Sequence, residues 1–184
     1  MENASRQGLC AKGVAVAEKE GRTAAVLKQI FRLCGREHYY VAEYGKAFPP
    51  EVVRSVLLLC VDPREKISGW PVCVAEWELA NLATEAGKLI TYSLAKNDAN
   101  FTARNIRAAP DGTIAFEMVG FGIIGRVRLC DGSPAGVEES LAAACAAVGA
   151  GIPFAEILQA LNQLSPPLSR TRPMMYKPEG QFTE

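Results

Sequence analysis

Short apolar runs alternate with stretches of helical spacing through the first half of the chain. The run at residues 14–17 (Val-Ala-Val-Ala) predicts a buried strand, and apolar positions spaced three or four apart predict a helix from about Arg22 to Cys34. Gly35 is a suitable helix stop. Four further runs predict strands, at residues 38–42, 55–61, 72–75 and 89–92. Helices are expected at the Pro-Pro-Glu of residues 49–51 and over residues 76–86.

From Asn100 onward the period of the pattern changes. Apolar and polar residues alternate over residues 103–107 and again over 113–118, and glycine-containing turns stand at 111–112 and 120–122. Short alternating segments joined by tight turns are typical of antiparallel strands. Residues 101–129 are therefore predicted to form a three-stranded antiparallel meander.

The meander is followed by two predicted helices. Ser133 is an N-cap candidate with Pro134 at the first helical position, and Glu138 and Glu139 lie near the positive end of that helix. Pro153 opens the last helix, which stops at residues 165–167. The whole order predicts a three-layer α/β domain, with a mostly parallel sheet, helices on both faces and an antiparallel β extension. We expect this domain over residues 13–170, an N-terminal extension over 1–12 and a loosely ordered tail over 171–184.

Charge and composition exclude several classes of function. Lysine plus arginine and aspartate plus glutamate both number 20, so the 184-residue chain has no excess cation with which to neutralise a nucleic acid. No apolar run approaches the roughly 20 residues that span a bilayer. Residues 1–7 lack the order of a secretory signal. We therefore expect a cytoplasmic protein that binds neither nucleic acid nor membrane.

Six cysteines raise the question of a metal site. They stand at positions 10, 34, 60, 73, 130 and 145 without a C-x-x-C pair, and His38 is the one histidine. Zinc sites need closer ligand spacing than this. Most of the thiols lie in apolar runs, so we expect reduced, buried side chains and no bound metal.

The first strand–loop–helix is the place where nucleotide-binding α/β proteins hold phosphate. A working loop has the pattern G-x-x-x-x-G-K-[ST]. Here Gly21 and Thr23 match outright, and Arg22 stands in the position of the lysine. These three residues are the candidate remnant of a nucleotide site. No catalytic residue is predicted.

The second half of the chain resembles a known family. The segments at 89–94 and 97–106, the meander, an alanine-rich helix and the Gly-Ile-Pro at 151–153 follow the order found at the end of the central ATP-binding domain of Mur ligases. That family, related to folylpolyglutamate synthase, makes amide bonds through ATP-driven acyl-phosphate formation. The resemblance covers about half the chain and implies a Mur-ligase central-domain-like fold. It also places residues 13–35 on the family's ATP loop, T-G-T-N-G-K-T-T.

The loop departs from that family pattern in its charge. Glu18 stands in the position of the first glycine and Glu20 in that of the asparagine. Two carboxylates would then face the phosphates of ATP, and one like-charge pair at 4 Å costs about 4 kcal/mol at an effective dielectric near 20. Lys19 and Arg22 offset part of this repulsion. A weakened or lost ATP site is the expected result.

Other family features have no counterpart. Residues 72–77 contain no paired aspartates, and residues 41–70 form a shorter stretch than the one that carries the family's magnesium ligands and carbamylated lysine. His38, Glu43 and Lys46 gain no support as catalytic or metal-binding residues. The chain also leaves no room for the domains that precede and follow this one in the family, so we expect the site to stay open to water.

Two functions follow. The first is a non-catalytic Mur-ligase-like domain that acts as a binding or structural module without a cofactor. Its expected partner is a second copy of the chain or a Mur-ligase-related protein. The alternative is part of an ATP-dependent amide-forming ligase, which would borrow its other domains from a partner and use ATP and magnesium. A neighbouring gene for those domains, or a filled phosphate loop, would favour the alternative.

Overall fold

A computed structural model describes residues 11–130 and 134–164. Within those residues the strands are β1 (Ala11–Ala17), β2 (Tyr40–Glu43), β3 (Val52–Leu59), β4 (Val72–Glu76), β5 (Lys88–Ser93), β6 (Phe101–Ala108), β7 (Ile114–Gly120) and β8 (Ile123–Leu129). The α-helices are α1 (Arg22–Leu33), α2 (Pro134–Gly149) and α3 (Phe154–Asn162), and a 3-10 helix covers Trp77–Ala83.

All eight strands form one sheet in the order β2-β1-β3-β4-β5-β6-β7-β8. Neighbours are parallel from β2 through β6, whereas β6, β7 and β8 pair antiparallel. The predicted α/β class, its mostly parallel sheet and its antiparallel extension are confirmed. The change of period near Asn100 marks the transition, because β6 is parallel to β5 and antiparallel to β7.

Alternate residues of the strands feed two separate cores. Val56 and Leu58 of β3 face the three α-helices, while Leu57 and Leu59 face the 3-10 helix together with Ile67 and other loop residues. The near-continuous apolar run of β3 follows from burial on both faces. Helix α2 lies in the middle of the first core, and its alanines from 142 to 147 are buried. Small side chains let this helix approach the sheet closely.

Close approach also seats α3 on the meander. A β-carbon built on Gly125 of β8 would lie 2.2 Å from Cδ1 of Leu158 on α3. Any larger residue at this position would force the Leu158 side chain to shift. The absence of a side chain at Gly125 therefore leaves room for Leu158 to pack against β8.

Two predicted helices are corrected. No helix forms at residues 49–51, where a turn leads into β3, because Val52 pairs with Ala11 at the start of β1. The helix expected over 76–86 is a shorter 3-10 helix, Trp77–Ala83. The Glu76 side chain caps it by accepting the N–H of Glu78. The second face of the sheet thus carries this 3-10 helix and loops, and the three α-helices share the first face.

Several expectations concern the ends of the elements. β1 begins at Ala11, two residues before the predicted domain start at 13. The proposed cap at Ser133 and the tail at 171–184 lie outside the described residues. No helix in residues 11–130 and 134–164 combines the length and the apolar character that a membrane span needs.

Candidate functional site

The strand order reverses at β1, which lies between β2 and β3. In doubly wound α/β sheets, ligands bind beyond the carboxyl ends of the strands at such a reversal. The loop that follows β1, residues 18–21, lies at this point. A cleft of about 330 Å³ opens beside it. Its walls are residues that follow β1 and β3, Tyr92 near the end of β5, and residues at the beginning of α1 and α2. The lining side chains include Glu18, Lys19, Glu20, Arg22, Thr23, Cys60, Tyr92, Glu138 and Glu139.

The side chain of Glu18 turns back onto the start of α1. Its two carboxylate oxygens accept the backbone N–H groups of Thr23 and Ala24, each at 2.8 Å. The first N–H groups of a helix have no partner inside the helix and carry a partial positive charge, which is why they bind phosphate in nucleotide sites. Here a carboxylate of the chain itself takes both donors.

The three residues predicted as a nucleotide-site remnant come together at this helix start. Gly21 is the N-cap, with a left-handed φ of 73° that favours glycine. Thr23 is buried at 4% exposure. Arg22 pairs with Glu20 at 2.9 Å and with Glu139 at 3.3 Å. Their role in nucleotide binding stays a prediction.

The cleft is acidic. Four carboxylates line it (Glu18, Glu20, Glu138 and Glu139) against two cations, Lys19 and Arg22, which gives a formal charge of −2. Glu138 and Glu139 join the site from α2, more than a hundred residues along the chain. Sequence reasoning placed them only at the positive end of a helix, and no local spacing tells which loop that helix end will meet.

Cys60 and Tyr92 form the inner wall of the cleft. Desolvation is the main cause that raises the pKa of the Cys60 thiol to about 11, and burial also raises the pKa of the Tyr92 phenol well above its usual range. The phenol donates a hydrogen bond to the carbonyl of Leu59 at 3.3 Å. Both groups keep their protons near neutral pH, so neither offers a ready nucleophile or base.

The remaining candidates lie apart from this wall. His38 stacks edge-on against Tyr39 with 4.7 Å between ring centroids. Glu43 and Lys46 pair with each other at 2.9 Å and line a second cleft, of about 570 Å³, on the β2 side of the same loop. Across residues 11–130 and 134–164, no three side chains of the metal-binding types stand close enough together to hold an ion.

The five described cysteines are free thiols. Cys73 and Cys145 are buried, as their apolar surroundings predict, and Cys34 and Cys60 are partly buried. Cys130 is exposed, because it directly follows β8 at the sheet edge. Cys10 lies outside the described residues.

Comparison with known proteins finds no match among protein-family models or curated proteins. Solved structures do match. The UDP-N-acetylmuramoylalanyl-D-glutamyl-2,6-diaminopimelate--D-alanyl-D-alanyl ligase from Acinetobacter baumannii aligns over 85% of this chain and 47% of its own, at 14% identity and a TM-score of 0.61. The UDP-N-acetylmuramoyl-L-alanyl-D-glutamate--2,6-diaminopimelate ligase aligns over 87% and 47%, at 16% identity and a TM-score of 0.61.

A third neighbour is the UDP-N-acetylmuramate:L-alanyl-gamma-D-glutamyl-meso-diaminopimelate ligase from Neisseria meningitides. It aligns over 85% of this chain and 66% of its own, at 16% identity and a TM-score of 0.56. The chain spans about half the length of the first two ligases. At such identities the likeness concerns the fold alone, and the predicted resemblance to Mur ligases is confirmed at that level.

Proposed function

We propose that this chain is a non-catalytic Mur-ligase-like binding module whose phosphate site is closed by its own Glu18. The observation that carries the proposal is the pair of 2.8 Å hydrogen bonds from Thr23 and Ala24 to the Glu18 carboxylate. A phosphate needs these same two donors. It could reach them only by displacing a charged group that is covalently part of the loop and thus always present.

Repulsion adds to this occupation. A nucleotide phosphate in the cleft would stand among carboxylates on both sides, since Glu18 and Glu20 come from the loop and Glu138 and Glu139 from α2. Each like-charge pair at 4 Å opposes binding by about 4 kcal/mol at an effective dielectric near 20.

Lys19 and Arg22 counter only part of this charge. Arg22 occupies the place of the phosphate-binding lysine, yet its guanidinium is held between Glu20 and Glu139 at 2.9 and 3.3 Å. To reach a nucleotide it would have to leave both carboxylates. The proposal therefore includes no cofactor. We also propose that the protein acts in the cytoplasm.

The alternative is part of an ATP-dependent amide-forming ligase completed by partner domains. The solved proteins that share the fold are ligases, which supports this alternative. The two functions differ in one requirement, because a ligase of this kind must bind ATP and magnesium at the end of β1.

Calorimetric titration with ATP and magnesium separates them. We expect the parent chain to show no binding tighter than about 1 mM. The double variant Glu18→Gly with Glu20→Asn frees both helix donors and removes two negative charges, so it should bind ATP measurably. The matched control Glu37→Gln with Asp98→Asn removes two charges at exposed positions away from the cleft and should behave as the parent.

The outcomes point in different directions. Tight ATP binding by the parent would overturn the proposal in favour of the ligase. Absence of binding by parent and double variant alike would show that the shape of the cleft, rather than Glu18, excludes the nucleotide. Neither variant should turn over ATP, because no metal-binding cluster stands within the described residues.

A further inference from the structure

The outer face of the meander carries a set of exposed arginines. β6, β7 and β8 bury Phe116, Met118 and Val127 beneath the helices, and the alternate residues point the other way. Two cross-strand rows result, Arg104–Glu117–Arg126 and Arg107–Ala115–Arg128. We call these six residues the arginine face. All four arginines are exposed, so no described helix covers this side of the meander.

A β-bulge brings two of these arginines to the same side. Residues 104 and 107 are three apart, and in a regular strand they would point to opposite faces. The register shifts between them, and three steps along β6 match two along β7. Asn105 adopts a left-handed φ of 53° at this bulge and donates a hydrogen bond to Glu117 at 2.7 Å. Bulges of this kind serve to re-aim side chains.

The charge of this face is only partly balanced inside the chain. Arg128 pairs with Asp111 at 2.9 Å, and Arg126 lies 4.0 Å from Glu117 with its side chain 91% exposed. Arg104 and Arg107 form no ion pair with any residue of 11–130 or 134–164. Four guanidinium groups against the carboxylates of Glu117 and Asp111 leave a local charge of +2, on a chain whose total is zero.

An apolar tip adjoins the arginine face at the β7–β8 turn. Phe121 is 56% exposed and Ile124, which points to the outer side, is 65% exposed. Phe121 also has a left-handed φ of 50°. That conformation costs a residue with a β-carbon about 1–2 kcal/mol, and such outliers cluster at functional positions. The ring packs edge-on against Phe101, with 4.9 Å between centroids, and more than half of the residue stays exposed.

We propose that the arginine face and the apolar tip together dock a protein partner whose surface carries carboxylates beside apolar or aromatic side chains. Guanidinium groups match carboxylates in geometry as well as charge, and arginine and aromatic residues dominate the strong contacts of protein interfaces. A second copy does not fit, since two arginine faces would repel each other. Nucleic acid does not fit either, because Glu117 and Asp111 stand among the arginines.

This inference rests on the proposed function, to which it adds the chemistry of the partner. The test uses the full chain, labelled with ¹⁵N, and a random copolymer of glutamate and tyrosine as the probe. We expect amide shifts confined to β6, β7, β8 and their turns. The variant Arg104→Gln with Arg126→Gln should weaken binding about tenfold or more. The control Lys28→Gln with Arg32→Gln removes two exposed cations of α1 and should leave the affinity unchanged.

A second variant separates docking from structural roles. Phe121→Asn places a residue that tolerates left-handed backbone in the turn. The change relieves the strained backbone but deletes the edge-on contact with Phe101, so the melting temperature should change little while binding of the copolymer weakens. A loss of binding that is matched by a large fall in melting temperature would overturn the docking role of Phe121.

Four results would overturn the inference. These are absence of binding, binding that the arginine variant leaves unchanged, tighter binding of duplex DNA than of the copolymer at equal charge, and a dimer in sedimentation that the arginine variant abolishes. None of the residues substituted in these tests lies in the loop at residues 18–23. Failure here and failure of the nucleotide test are therefore distinguishable.

Discussion

The side chain of Asn162 pairs with the backbone of Arg128 as a neighbouring strand would. The amide oxygen of Asn162 accepts the N–H of Arg128 at 2.9 Å, and its Nδ2 donates to the carbonyl of Arg126 at 3.0 Å. β8 is the last strand of the described sheet, and open edges of this kind are templates for pairing with other chains. One side chain at the end of α3 thus closes part of the edge.

Asn162→Ala should therefore act on stability and on association. We expect the free energy of unfolding to fall by about 1 kcal/mol, since exposed hydrogen bonds are lost. Light scattering at high protein concentration should rise as the β8 edge opens. Urea denaturation measures the first effect. The neighbouring change Gln163→Ala should do neither, and equal behaviour of the two variants would contradict this role.

Two buried threonines should respond oppositely to the same substitution. Thr102 is 4% exposed, and its hydroxyl has no hydrogen-bond partner within the described residues. Thr91 exchanges two hydrogen bonds with Asn100, both at 3.1 Å. Thr102→Val should leave the free energy of unfolding unchanged or raise it, whereas Thr91→Val should lower it by about 1–3 kcal/mol, because the backbone N–H of Asn100 loses its acceptor. Urea denaturation of both variants decides the matter, and equal losses would refute it.

The contact between Gly125 and Leu158 gives a double-mutant test. Gly125→Ala places a β-carbon 2.2 Å from Leu158, so we expect a loss of about 1–3 kcal/mol from overpacking. In the double variant with Leu158→Ala the new methyl group has room, and the combined loss should be smaller than the sum of the single losses. Additive losses in chemical denaturation would mean that the backbone of β8 moves to absorb the clash.

Buried thiols should make the chain less stable in alkali. Desolvation raises the pKa of Cys60 to about 11 and that of Cys73 to about 12, from an ordinary value of 9.0. Below pH 9 both states keep the protons and this stability is fully present. As pH rises from 9 through the folded values, the unfolded chain ionises first and stability is lost, by about 1.4 kcal/mol per pH unit for each thiol.

Denaturation by urea at pH 8 and at pH 10 measures this effect. Cys73→Ala removes one of the raised groups, so its stability should depend less steeply on pH than that of the parent. The substitution also deletes a buried side chain, and only the slope against pH bears on the thiol. An unchanged slope would show that Cys73 ionises in the folded chain as it does in the unfolded one.

Much of the sheet could be predicted because its signals are local. The apolar run at 55–61 lies almost wholly within β3, and the alternation at 113–118 lies in β7. The 3-10 helix could not be told from an α-helix, since both place apolar residues three apart. The bulge at Asn105 also escaped, because a register shift depends on the pairing with β7.

The sequence singled out the loop beside which the cleft lies, but it did not predict the arrangement of the side chains there. A strand–loop–helix pattern located the loop, and the family pattern marked Glu18 as a misplaced charge. Its actual contacts depend on how the loop folds back onto α1, which periodicity does not encode. The approach of Glu139 to Arg22 depends on the packing of α2 against α1, across 117 residues of sequence.

Because Glu18 caps α1 from within the chain, the first N–H groups of this helix have an acceptor without binding a dissolved anion. If the donors of this helix start bound a dissolved anion, the anion would stabilise the fold. That stabilisation would grow with the logarithm of the anion concentration divided by its dissociation constant. Thr23 and Ala24 instead find their acceptor five and six residues away in the same chain. Under the proposed function, the concentration of nucleotide therefore leaves the stability of this helix start unchanged.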